Sequence, residues 1–413
     1  MKLIVPEKIG IYSGVISSVF AMANLLGPLL GGIISDRSTW RWIFFLNGPV
    51  VAIAIVILFT SIPPLSDGKT NSERIRSLDW HGGILSVCWP IPLIFALQEA
   101  GVSHAWSSSV IIGTLTTGLS LFLIFGLYET WITYKTPKAP IFPIHFLKNP
   151  SMALILLSQF LLGMPFYVLF VQLPQRFQAV NFTSAERAGI LLLPATMLTP
   201  LGALLAGALA KKITPEIILI GAAALVCLGV GLLGSLPSQS GVWPGIYGYE
   251  IIAGFGLGLA NPPYFMLVAT SLPGKDVAVG TGALNMVRTL GGCVAVAICA
   301  AVQREFVSKR LAVFLAPEQI DAVQKSGGFI ARLPEGVKER VGEVFGQSYN
   351  RQFLIMLAFA GVNVLVAVGL AVVRKRMGIF GVMPVREEQN EFTRAEKTGK
   401  GSVKEDEAKS SPG

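Results

Sequence analysis

Charge is scarce in this chain. Only 14% of its 413 residues are charged, against 52% hydrophobic, whereas an ordinary soluble domain is about 25% charged. A soluble chain of this length would fold as roughly two or three domains, and the charges needed to cover their surfaces are missing. A soluble enzyme, a disordered scaffold and a fibrous protein are excluded on that ground, and a polytopic membrane protein remains. Histidine is scarcer still: His81, His104 and His145 are widely scattered, so no metal centre is expected. The four cysteines, Cys88, Cys227, Cys293 and Cys299, lie in apolar runs without CxxC spacing, which supports neither a disulfide framework nor a zinc site. No HExxH, Ser-His arrangement or paired carboxylates stands in or beside those runs, so no catalytic residue and no cofactor is expected. Lys/Arg runs interleaved with aromatics are also lacking, which argues against nucleic acid as a partner. The net charge of +9 instead fits loops that face an anionic inner leaflet. Met1–Gly10 lacks the apolar stretch of a signal peptide.

What the chain has is long apolar runs. A spanning helix needs about 20 mostly apolar residues. Ten segments qualify: Ile11–Ile34, Ile43–Thr60, Gly82–Leu97, Val110–Leu127, Met152–Val171, Ala188–Ala210, Glu216–Gly234, Ile246–Thr270, Val277–Val302 and Phe353–Val373. The runs are continuous rather than alternating, which predicts an all-α membrane protein and not a barrel. Lys69, Arg74 and Arg76, then Lys135, Lys138 and Lys148, then Lys211, Lys212 and Lys275 fall in one set of loops. With Arg374, Lys375 and Arg376 they outnumber the basic residues of the opposite set, so their side is expected to face the cytoplasm. The tail follows them there, and 303–351 becomes a long external loop with room for short amphipathic helices. Asn181-Phe182-Thr183 is an N-x-[ST] acceptor on the expected outer side, a possible glycosylation site. The tail, 377–413, alternates Glu and Lys with Ser and Gly and reads as disordered.

The most informative local signal is Ala23-Asn24-Leu25-Leu26-Gly27-Pro28-Leu29-Leu30-Gly31-Gly32. Gly27 and Gly31 have GxxxG spacing, which lets a second helix approach closely, and Pro28 would kink the span. Ser35-Asp36-Arg37 follows, and then Trp40-Arg41-Trp42-Ile43-Phe44-Phe45-Leu46-Asn47-Gly48-Pro49. This run resembles the fifth and sixth spans of drug:proton antiporters of the major facilitator superfamily, GPLLGG matching their antiporter motif. Leu78-Asp79-Trp80-His81-Gly82-Gly83, Leu97–Gly101 and Trp106-Ser107-Ser108 are similar to the two extra central spans of the fourteen-span branch, which in fungi exports toxins and drugs. Gly280-Thr281-Gly282 through Arg288–Gly292 resembles the penultimate span.

The resemblance implies a partial major facilitator fold of about ten helices. Residues 1–60 would be the last two spans of the N-terminal bundle, 61–149 a linker with two extra spans, and 150–376 a complete six-span C-terminal bundle. The first four spans of the family are expected to be lacking. Function follows as an expectation: proton-coupled efflux of small hydrophobic compounds by alternating access, in the plasma membrane, or in a vacuolar or vesicular one. The partners would be the lipid bilayer, the substrate and protons. The alternatives are an uptake permease of the same fold and an inactive or regulatory truncated protein.

Polar residues inside the spans supply the site candidates. Arg288 is the clearly basic one, and a charge in hydrocarbon costs at least about 2.5–3.5 kcal/mol, so it faces a watery cavity or snorkels. Gln159, Tyr167 and Gln172 share a span with Gly163 and Pro165, and Asn261 precedes Pro262-Pro263. With Asn285 these form the candidate substrate or proton pathway. Asn24, Gly27, Pro28, Gly31 and Gly32 form the motif helix. Glu99, Glu129 and Glu250 lie near span ends and read as solvated.

Overall fold

The computed structural model describes residues 23, 26–61, 79–100, 104–136, 140–239, 241–274, 276–325, 330 and 333–381. Among them there is no strand, and nine helical spans are long and apolar enough to cross a bilayer. The tenth expected span lies mostly outside the described residues; its end is a helix over 26–37, here α1. Helix α2 (Arg41–Ser61) buries no residue against the rest. Then come α3 (Trp80–Cys88) and α4 (Pro90–Glu99), two halves of one span broken at Trp89, and α5 (Ser109–Lys135).

Six spans follow. They are α6 (Pro150–Val180), the split span α7 (Ala185–Leu191) and α8 (Leu193–Leu209), α9 (Pro215–Leu233), α10 (Gly245–Ser271), α11 (Val277–Leu311) and α13 (Glu335–Arg376). The short α12 (Pro317–Lys325) precedes the last. Asn149 caps α6 by accepting the backbone N–H of Ser151 at 3.0 Å, and Pro150 takes the first turn, where its missing N–H costs nothing. Helix α6 is the pillar of the bundle, packing on both α11 and α13, while α10 packs between α8 and α9. One continuous core joins them, with Leu169, Leu173, Leu219, Val230, Leu257, Leu267 and Leu370 all buried.

Much of the stretch 303–351 is helical. Helix α11 runs through it to Leu311 and α13 starts at Glu335. Their ends gather a second, small core of Val307, Leu311, Leu315, Val341, Phe345 and Tyr349 with Val180. Basic residues lie on the rings of this cap, Lys338 over Phe182 and Arg340 over Phe314. Asn181 sits at its edge, half-buried, with Nδ2 donating to the carbonyl of Gly241 at 3.0 Å; a glycan on that nitrogen would displace the bond.

Two charge readings change. Glu129 and Glu250 are fully buried, not solvated. Glu129 Oε2 accepts the N–H of Phe142 at 3.1 Å, and its other oxygen lies beside Gly82 together with the Asp79 carboxylate. Neither oxygen of Glu250 has a hydrogen-bond partner among the described residues. Arg374, counted among loop charges in the sequence, is 2% exposed and donates from Nε to Glu216 Oε1 at 2.6 Å. A long helix carries a charge inward when a partner waits there, and hydropathy alone does not see the partner.

Candidate functional site

The polar face of the bundle is built on a close helix contact. A Cβ on Gly163 of α6 would fall on the carbonyl of Arg288, and one on Gly291 of α11 on the carbonyl of Phe160. Without side chains there, the two backbones touch, and the residues flanking the contact are held rigidly. Arg288 Nη1 donates to Asn261 Oδ1 of α10 at 3.2 Å, and Nη2 to Asn285 Oδ1 at 3.4 Å. The guanidinium stands over the Phe166 ring, 5.3 Å from its centroid, a favourable cation–π arrangement. One residue along each helix, the Tyr167 hydroxyl and Thr289 Oγ1 are 3.3 Å apart. Asn285 and Thr289 are exposed and Arg288 is half-buried. Arg288 Nε is buried without a partner, and both acceptors of the guanidinium are neutral amides.

The structure therefore brings together Arg288, Asn261, Asn285 and Tyr167 of the expected pathway. Gln159 and Gln172 do not join them. Both are buried within α6, and the side-chain carbonyl oxygen of each lacks a partner among the described residues. Phe166 and Thr289 belong to the face and were not singled out by sequence; each is the chain neighbour of a residue that was. Ser158, Tyr264 and Asn363 make a separate buried network, Ser158 Oγ lying 2.7 Å from both the Tyr264 hydroxyl and Asn363 Oδ1.

Among the described residues, the helix contact of the GPLLGG run falls at Gly32. Asn24 lies outside the described residues. Gly27 and Gly31 face open space: a Cβ on either would meet no described atom within 4 Å. The close approach is one residue on: a Cβ on Gly32 would lie 2.6 Å from the Ala185 carbonyl oxygen, and one on Gly189 2.6 Å from that of Pro28. Pro28 and Gly32 are one helical turn apart and share the face toward α7. Asp36 completes the junction by accepting the N–H of Glu186 at 2.7 Å and of Ala185 at 3.3 Å, while Arg37 pairs with Glu186 at 3.3 Å.

The Glu186 backbone N–H, foremost among these contacts, holds the Asp36 carboxyl below its ordinary value. A depressed carboxylate stabilises above its unfolded value and stops doing so as pH falls through the folded one. Acidification is therefore expected to loosen the α1–α7 junction. Asp36→Ala is expected to cost roughly 0.5–1 kcal/mol, as removal of an exposed helix cap does. Hydrogen exchange would show it as faster exchange at Ala185 and Glu186, with α9 and α13 unchanged.

Long apolar helices thus surround a half-exposed polar face. The chain belongs to the Major Facilitator Superfamily, whose sequence profile matches residues 1–296. It is 33% identical over 375 residues to the MFS-type transporter FPY5 of Fusarium mangiferae, covering 88% of this chain and 63% of that protein. It is 30% identical over 288 residues to the efflux pump dotC of Dothistroma septosporum, covering 70% and 49%. It is 28% identical over 369 residues to the MFS-type efflux transporter pyiT of Pyricularia grisea, covering 86% and 60%. The chain thus spans about half to just under two thirds of the length of these relatives. A solved bacterial homologue of the human lysosomal transporter Spinster, inward-facing and occupied, aligns at TM-score 0.48 and 13% identity, over 87% of this chain and 82% of its own.

Proposed function

We propose that this protein exports small hydrophobic compounds, drugs or toxins, in exchange for protons, as a member of the fourteen-span branch. The observation that carries this reading is the Arg288 face: a cation held on Asn261 and Asn285 over an aromatic ring, on the side of α6, α10 and α11 left open. Substrate would meet Arg288, Asn261, Asn285 and Tyr167, and α1 and α2 would belong to the opposing bundle. Rocking of the two bundles would expose that face to each side in turn. The α1–α7 junction would be part of the outer closure. The names of its relatives support export: two of those above are called efflux proteins.

Protons would move through buried carboxyls that lack a cation among the described residues, Glu250 first and Glu129 second. The basic loops and the tail would face the cytoplasm, and the plasma membrane is the site of action proposed.

The test is extrusion of two aromatic dyes, neutral Nile red and anionic fluorescein, from transporter-deficient cells expressing the 413-residue chain. Export is expected to rise with an inward proton gradient and to stop when an ionophore collapses it. Glu250→Gln is expected to abolish the gradient dependence while dye binding persists. Accumulation of dye in place of extrusion would establish an uptake permease, and extrusion indifferent to the gradient would end the antiport reading.

A further inference from the structure

We propose that the Arg288 face selects organic anions: flat, apolar molecules bearing one ionised oxygen acid. The inference rests on the transport reading above and narrows its substrate class. A guanidinium has five N–H donors and stays charged. Arg288 spends one on Asn261 and one on Asn285, and Nε points to no acceptor. Amide oxygens orient the group but leave its charge uncompensated, and no carboxylate pairs with it among the described residues. The bundle closes off its two more deeply buried arginines: Arg176 is 2% exposed and donates to the Pro237 carbonyl at 2.7 Å. Arg374 meets a carboxylate, Glu216, at 2.6 Å and is closed off.

A half-buried cation with no carboxylate partner among the described residues attracts an anion more strongly than a fully solvated cation does. A neutral guest leaves the charge unanswered and a cationic guest is repelled. The rest of the face fits the remainder of such a molecule. Phe166 offers a ring beneath the guanidinium, and the hydroxyls of the next residues, Tyr167 and Thr289, offer further donors. Because Gly163 and Gly291 fix α6 against α11, this arrangement is preorganised and little ordering is left to the moment of binding.

The experiment compares two probes of one shape on the purified full chain in detergent: 1-naphthoate, ionised at neutral pH, and 1-naphthamide, which is neutral. Naphthoate is expected to bind about tenfold tighter or more, the ratio that one charge-assisted hydrogen bond is worth. Arg288→Gln is expected to erase the difference, and Arg288→Lys to keep part of it. Equal binding of the two probes by the unaltered chain overturns the proposal, as does a preference that survives in Arg288→Gln. These readings need no gradient. A chain that discriminates the probes but exports nothing would sink the antiport reading and leave the anion site standing.

Discussion

Arg374→Ala is expected to cost the bundle about 3–5 kcal/mol, the range for stranding one member of a buried ion pair. The number follows from how completely Arg374 is used. Nε donates to Glu216 Oε1 at 2.6 Å; Nη1 donates to Ser151 Oγ at 3.0 Å and Ser271 Oγ at 2.6 Å. Nη2 donates to Thr270 Oγ1 at 2.8 Å and to the Ile379 carbonyl at 3.2 Å. All five guanidinium donors are thereby engaged, and the contacts tie α6, α9, α10 and α13 together at one end. Removing the arginine leaves Glu216, which is 1% exposed, without its cation. Lysine has three donors on a flexible stem and cannot reproduce the fork, so Arg374→Lys is expected to recover only part of the loss. Thermal unfolding in detergent would measure both. A double-mutant cycle with Glu216→Gln isolates the pair, and the double variant is expected to be more stable than the sum of the singles.

Gly163→Val is expected to have the second largest effect, loss of both transport and probe binding. The Val side chain would have to occupy the place of the Arg288 carbonyl, so α6 and α11 must separate. Overpacking of this kind costs about 1–3 kcal/mol, less than the stability of an ordinary domain. The variant should therefore still fold, with Arg288 carried away from Asn261 and Phe166. Gly291→Val approaches the same contact from α11, against Phe160, and should give the same phenotype. Gly221→Val faces no neighbour and serves as the control. Folded yield and melting separate misassembly of the site from loss of the protein; unimpaired naphthoate binding by Gly163→Val would refute the rigid-platform account.

The spans were legible because lipid demands apolar length, and nearly every expected segment coincides with a helix. Their ends were not. Hydropathy marks where a helix meets lipid, and backbone hydrogen bonding does not stop there. Helix α6 continues past Val171 through Pro174 and Arg176 to Val180, and α13 begins at Glu335 and not at Phe353. Depth along the helix axis could be read from sequence, but direction around it could not. Glu250 sits near its helix start, as expected, yet points into the bundle. Gly32, not Gly27 or Gly31, meets the neighbouring helix. For the site, Arg288, Asn261 and Asn285 stood out as costly polar residues in apolar runs. Phe166 did not, because a phenylalanine in a membrane helix is unremarkable until a cation is found above it.

The α1–α7 junction has a consequence for synthesis. The Asp36 carboxylate and the Glu186 N–H are 150 residues apart in the chain. At about 5–20 residues per second of translation, roughly 8–30 s pass between the making of one and of the other. During that interval the GPLLGG helix is finished while the surface it docks on does not yet exist. Its Gly32 face is then open to any membrane-embedded chaperone or quality-control factor that recognises undocked helices, and the arrival of α7 ends that exposure.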